Sequence, residues 1–162
     1  MVHKHSVRDA TQQDIDRVVE LWAEHVDFHA QCDPRFERRE GSEDGFAQHL
    51  RTQLDKSDYL LVVGEIDGEV AGFLNGELSD YPPCFAHRAH GFIDNLAVSP
   101  QWQRAGLGTA LVEKAMAWFS AKGVTTVEGR VLLSNPMAMA FWQKTEFEPY
   151  MHTIRARTGL HE

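Results

Sequence analysis

Asn95-Leu-Ala-Val-Ser-Pro-Gln-Trp-Gln-Arg-Ala-Gly-Leu-Gly-Thr109 is the stretch that decides the architecture. An apolar, strand-like run stops at Ser99-Pro100, a polar turn follows, and Gly106-Leu107-Gly108 opens a segment of helical periodicity. In that segment Leu107, Leu111, Ala115, Trp118 and Phe119 share one side as far as Ala121, and Lys122-Gly123 stops it. The first turn of a helix carries main-chain N–H groups without intrahelical partners and a partial positive charge. Glycines there let a ligand come close to the backbone, and Arg104 adds a cation. The arrangement suits an anion, above all a phosphate or diphosphate; a tight turn that binds nothing would need the same glycines. Two nucleotide motifs are disfavoured. A dinucleotide fingerprint needs a small residue where Leu111 stands and belongs to the first strand–helix unit of a chain. A Walker A loop needs Gly-Lys-Ser/Thr, which does not occur.

Upstream, Ser6 to Ala10 reads as a strand, and Thr11 with Asp14 as the start of a helix whose Ile15, Val18, Val19, Trp22 and Val26 form one stripe and which fades near His29. Residues 30–41 are polar and read as a loop. Ser42 is placed to cap a helix to about Lys56, with Phe46, His49, Leu50 and Leu54 inward. Tyr59 to Glu65 and Val70 to Glu77 are strands joined through an Asp67-Gly68 hairpin turn. Ser79 to Ala89, with Pro82-Pro83, reads as a loop, and His90 to Val98 as the fourth strand. Beyond the glycine helix come a strand over Thr125 to Leu132, a helix over Asn135 to Thr145 and a last strand over Glu148 to Arg157. The order predicts one mixed α/β domain over residues 1–162.

Composition narrows the partners. With 16 Lys and Arg against 24 Asp and Glu, the net charge of -8 leaves no basic surface for nucleic acid. No apolar run reaches membrane-spanning length, and Met1-Val2-His3-Lys4-His5 has no apolar leader segment, so a cytoplasmic protein is expected. Cys32 and Cys84 lack metal-site or redox spacing. His25 and His29 stand four apart on one helix face without the Glu of a His-Glu-x-x-His pattern, so no metal site is expected there.

Gln103-Arg104-Ala105-Gly106-Leu107-Gly108 resembles the (Gln/Arg)-x-x-Gly-x-(Gly/Ala) signature of the GNAT acyl-CoA N-acyltransferase superfamily. Phe92-Ile-Asp-Asn-Leu-Ala-Val98 resembles the family's fourth strand, and Asn135-x-x-Ala138-x-x-Phe141-Trp142 its Asn-x-x-Ala helix. The resemblance implies a mostly antiparallel central sheet with helices on both faces, splayed between its fourth and fifth strands. It implies acetyl-CoA as acyl donor, with pantetheine against the backbone of Leu96, Ala97 and Val98. The diphosphate would rest on the N–H groups from Arg104 through Ala105, Gly106, Leu107 and Gly108 to Thr109, beside Gln103, with Asn135 facing the pantetheine end or the thioester region and Trp142 among the donor-binding residues. The acceptor implied is an amine of a small molecule or peptide, and a homodimer is a family-level expectation alone. Two positions depart from the family: Trp142 replaces the usual Tyr, the common general acid, and Glu146 replaces the Gly before Phe147, which suggests a different turn after the last helix.

Acetyl transfer needs a neutral amine. Deprotonating a lysine-like amine at pH 7 costs about 4.6 kcal/mol and an α-amine only about 1. Asp94 on the fourth strand is the first candidate base, ahead of Glu128 and His90. Expelling a thiolate unprotonated costs roughly 2 kcal/mol, some 30-fold in rate, so losing the acid Tyr is survivable, and Tyr150 is a candidate substitute. The other reading is an acyl-CoA-binding or sensor module of the same fold without turnover, motivated by Trp142; a purely structural protein would leave the glycine loop unexplained.

Overall fold

The computed structural model describes residues 4–157. The Met1–His3 end, part of the leader argument, lies outside the described residues. Five strands, β1 (His5–Asp9), β2 (Tyr59–Ile66), β3 (Glu69–Asp80), β4 (Ala89–Val98) and β5 (Val127–Gly129), form one sheet in sequence order. β1 to β4 are antiparallel neighbours, and β5 lies parallel to β4. The four longer helices are α1 (Ile15–Cys32), α2 (Ser42–Gln53), α3 (Leu107–Ala121) and α4 (Pro136–Lys144).

Strand alternation sends side chains to two separate cores. On one face Leu61, Val63, Phe73 and Ala97 meet Ile15, Val18 and Leu21 of α1 and Ala47 and Leu50 of α2. On the other, Leu60, Val62, Leu74 and Ile93 meet Leu107, Leu111, Ala115 and Phe119 of α3, with Phe141 and Trp142 of α4 packed alongside. The sheet is therefore mixed, mostly antiparallel and covered by helices on both faces, as expected. Glycines let α3 sit close. A Cβ at Gly64 would stand 2.6 Å from Leu107 Cδ1, and one at Gly91 2.5 Å from Phe119 Cδ1, distances real Cβ atoms do not tolerate.

Several sequence boundaries move. α1 continues three residues past His29 to Cys32, where Asp33 N–H still donates to His29 C=O (2.9 Å), and a 3-10 turn over Pro34–Phe36 follows. Gly41 rather than Ser42 is the N-cap of α2, in the left-handed region at φ 73°; α2 ends at Gln53. β3 runs on to Asp80 because Ser79 and Asp80 pair with His90 and Ala89, which shortens the expected loop. The strand expected over Thr125 to Leu132 contracts to Val127–Gly129, the part in register with Gly91 to Ile93.

The last expected strand, Glu148 to Arg157, does not form. Pro149 offers no N–H, and the three-residue β5 is a short edge to pair with. The segment is held instead by Tyr150, whose hydroxyl donates to Glu128 Oε1 at 2.7 Å and lies 3.1 Å from the Tyr81 hydroxyl. Ile154 is left 91% exposed.

The turn after α4 is also a correction. Phe147 N–H donates to Trp142 C=O (3.0 Å) and Glu146 N–H to Gln143 C=O (3.2 Å), the paired bonds of a Schellman C-cap. The Trp142 and Phe147 rings, centroids 4.8 Å apart, supply its apolar contact. Glu146 takes the left-handed position at φ 67° that glycine would occupy more cheaply, so the turn keeps its geometry despite losing the glycine. Glu146→Gly is therefore expected to stabilise the protein by about 1 kcal/mol, a rise of roughly 2–4 °C in a thermal melt; an unchanged or lowered melting temperature would contradict the assignment of strain.

Candidate functional site

β4 pairs with β3 along its length but with β5 only through Gly91, Phe92 and Ile93. From Asp94 to Val98 its other edge has no strand partner among the described residues. This is the expected splay, and it leaves main-chain N–H and C=O groups open to an extended ligand. Ala97 spends its side chain in the α1–α2 core, while Leu96 and Val98 pack in the α3 core. Leu96 and Val98 are half-buried there, and the backbone of all three runs along the gap.

The gap leads to the start of α3. Gly106 is its N-cap, at φ 84°, and Arg104 also lies left-handed at φ 67°. The first intrahelical bond is Ala110 N–H to Gly106 C=O (3.1 Å), so the N–H groups of Leu107, Gly108 and Thr109 precede the helical ladder. Ala105 N–H, expected in the same cradle, turns inward and donates to Trp102 C=O (3.4 Å). A Cβ at Gly106 would meet nothing nearer than His5 Cε1 at 3.9 Å, so the loop is open above this residue. A Cβ at Gly108 would stand 3.2 Å from Phe141 Cε2, so Gly108 is where α4 packs closely on the start of α3. Gln103 and Arg104 are exposed at the rim. A free strand edge running into an N–H-lined, glycine-floored helix start fits an elongated molecule ending in a diphosphate.

Asn135 is buried, and its carboxamide oxygen accepts from Ala138 N–H (3.1 Å), which makes it the N-cap of α4. Trp142 is occupied by packing against Phe141 and Phe147. Both positions of the Asn-x-x-Ala helix thus have structural work that the motif alone did not disclose.

Asp94 stands at a bulge. Asn75 faces Asn95 and Gly76 faces Ile93, so Asp94 is the extra residue on β4. The slip reverses the alternation: Ile93 faces α3, whereas Ala97, four residues on, faces α1 and α2. Asp94 lies within electrostatic reach of Glu77 on β3, His49 on α2 and Arg130 just past β5. Its residue is open to the cleft, yet protein crowds the carboxyl. That desolvation and the neighbouring Glu77 raise its pKa to about 6, against smaller opposing effects of His49 and Arg130.

The two other base candidates are engaged elsewhere. Glu128 accepts the Tyr150 hydroxyl, and this bond pushes the Tyr150 pKa up. His90 is buried beneath Tyr81, the ring centroids 4.2 Å apart, with Nδ1 3.3 Å from Arg88 C=O. His25 and His29 lie with ring centroids 4.2 Å apart, and burial pushes His25 down to about 4. No group of three or more metal-ligating side chains gathers among the described residues.

Sequence reading missed a polar chain beside Asp94. Asn95 Nδ2 donates to Asn75 Oδ1 (2.9 Å), and Asn75 Nδ2 donates to the Tyr59 hydroxyl (2.9 Å). The His49 ring stands edge-on to Tyr59, centroids 5.9 Å apart. Asn75 in an otherwise apolar strand was the available signal; its partners depend on a register that the bulge conceals.

A splayed mixed sheet with a glycine-opened helix beneath the gap is an acetyltransferase architecture. The aminoglycoside N-acetyltransferase AAC(6')-Iy, solved in complex with CoA, superposes with a TM-score of 0.76 at 16% identity, over 98% of this chain and 97% of that one. A mutant of the BH1408 protein from Bacillus halodurans gives a TM-score of 0.84 at 18% identity, over 94% of this chain and 99% of that one. In sequence, an L-2,4-diaminobutyric acid acetyltransferase from Nocardia farcinica is 35% identical over half of this chain, a match spanning 39% of that protein's length. An aminoglycoside N(6')-acetyltransferase type 1 from Stenotrophomonas maltophilia is 25% identical over 74% of this chain and 78% of its own. The profile of the acetyltransferase (GNAT) family matches residues 16–147, and the chain belongs to that family. It is an acyl-CoA N-acyltransferase with acetyl-CoA as donor. No helix among the described residues is long and apolar enough to cross a membrane.

Placing a carboxylate at the open glycine tests the cradle. Gly106→Asp is expected to weaken CoA binding at least about tenfold by calorimetry, well beyond the loss in Gly106→Ala, which adds strain without charge. Equal affinities for the three proteins would remove the diphosphate from this loop.

Proposed function

We propose that the protein transfers the acetyl group of acetyl-CoA directly to a primary amine of a small molecule, with Asp94 as the general base. The carrying observation is the place of Asp94, at the bulge where the unpaired edge of β4 begins, with desolvation and Glu77 raising its pKa to about 6. A carboxylate with that pKa is ionised at neutral pH and more basic than an ordinary one, which suits removal of an ammonium proton directly or through a water. The amine nitrogen then attacks the thioester carbonyl carbon; the C–N bond forms, the C–S bond breaks, and the thiol leaves with a proton. No acyl-enzyme is required. The relatives named for diaminobutyric acid and aminoglycosides support a small-molecule acceptor over a peptide. The cytoplasm is the compartment assumed.

The leaving thiol takes its proton from solvent or from Tyr150. Since an unprotonated departure costs only about 30-fold, Tyr150→Phe is expected to lose no more than that in rate. The binding-only reading rested on Trp142, whose packing in the α4 cap now accounts for its presence.

Thiol release with a panel of amines tests the reading. Asp94→Asn should lose about 10²–10⁴-fold with lysine-like amines and far less with α-amines, which need little help to deprotonate. Because the base works ionised, kcat/KM of the native enzyme should fall about tenfold per unit as pH drops below about 6, and this limb should vanish in Asp94→Asn. Tight CoA binding with no thiol release for any amine would refute turnover.

A further inference from the structure

Opposite charges stand just past the last paired residues of β4 and β5. Pairing ends at Ile93 and Gly129, so Asp94 and Arg130 are the next residues on the two strands, one on each side of the opening. Val127 packs in the α3 core, so Glu128 belongs to the other face of the sheet, and Arg130, two residues on, to the same face as Glu128. The Arg130 guanidinium indeed lies over the Phe92 ring at 5.2 Å, and Phe92 alternates with Ile93, which faces α3. Glu128 on this face is taken by the Tyr150 hydroxyl.

The seat of Arg130 is a ring and not a carboxylate. Among the described residues its guanidinium makes no ion pair or hydrogen bond, and the Asp94 carboxyl makes none either. A guanidinium over an aromatic face is attracted by the ring's electron-rich surface, which gives the exposed Arg130 a preferred place beside β4. From there it acts on Asp94 without touching it. The charged groups that act on Asp94 are Glu77 of β3, His49 of α2 and Arg130, and Tyr59 of β2 in turn feels Asp94 and Glu77. Desolvation and Glu77 favour the neutral acid; His49 and Arg130 favour the carboxylate. An imidazole's charge comes and goes around neutrality, whereas a guanidinium is always charged. A direct ion pair would occupy the oxygens that must receive a proton and make them poor bases. A cation held nearby without contact keeps the carboxyl ionised and leaves its oxygens free.

We infer that Arg130 is a positioning residue for the transfer: the Phe92 ring seats its guanidinium where the strands part, and its charge there holds Asp94 in the ionised form that takes the ammonium proton. The bearing on the reaction rests on Asp94 as the base, but the hold of Arg130 on Asp94 is measured without turnover.

Carbon-13 NMR follows the Asp94 carboxyl through a pH titration of the full chain, its resonance assigned by its loss in Asp94→Asn. Losing the cation destabilises the carboxylate, so the proton is kept to higher pH. In Arg130→Gln the midpoint is expected to rise by about half a pH unit or more. Arg130→Lys, which keeps the charge, should stay close to the native midpoint. The acidic limb of kcat/KM should move up with the midpoint in Arg130→Gln. An unmoved midpoint in Arg130→Gln would overturn the inference. So would an equal rise in Arg130→Lys, which would make the effect one of packing and not of charge. A raised midpoint with a rate limb that stays in place would uphold the hold of Arg130 on Asp94 and sink the role of Asp94 as base. If Arg130→Gln does not fold by circular dichroism, Arg130→Met, which keeps an apolar stem against Phe92, takes its place under the same expectation.

Discussion

The seat of α3 on the sheet is the contact on which the rest depends. Leu107 at one end of the helix rests where Gly64 has no side chain, and Phe119 at the other end rests where Gly91 has none. Two contacts so far apart fix the direction of the helix as well as its height. Its first turn is thereby held beside the C-terminal end of β4, and its N–H groups open towards the gap. Larger residues at either glycine would lift one end and tilt the dipole away from the place where β4 runs out of strand partners.

The extra residue at Asp94 has two linked effects. It reverses the alternation of β4 beyond it, so that Ala97 faces α1 and α2 although Ile93 faces α3. It also falls just where pairing with β5 stops, since Ile93 is the last β4 residue opposite a β5 residue. Bulges bend the strand that bears them, so one insertion marks both the end of pairing with β5 and the place where Asp94 stands. The carboxyl's raised pKa follows from the same placement: it stands in a crowded notch with another acid on the adjoining strand.

The chain of strands and helices, the two cores and the glycine-opened helix were legible because each is written in local periodicity and in residues of restricted conformation. Ile15, Val18 and Leu50 are buried as their helical spacing demands, and the Asp67-Gly68 hairpin forms with both residues at positive φ. What stayed hidden depends on register or on competition between partners. Asn75 meets Asn95 only because β3 pairs with β4 across a bulge that no alternation pattern shows. The segment after Pro149 has the composition of a strand, yet Tyr150 finds Glu128 and Tyr81 before its backbone finds an edge. Asn135 looked like a ligand contact from its motif, and a local helix cap uses its oxygen.

The sheet keeps its two cores apart: among the described residues, no buried one belongs to both. The glycine-opened loop is anchored from one side by α3 and α4, whereas α2 and the polar residues of β2 and β3 lie with Asp94 on the other. Changes at distant, independently packed positions tend to add rather than interfere. Descendants of this chain could therefore vary the half that holds Asp94 while the half that seats the glycine-opened helix is inherited intact.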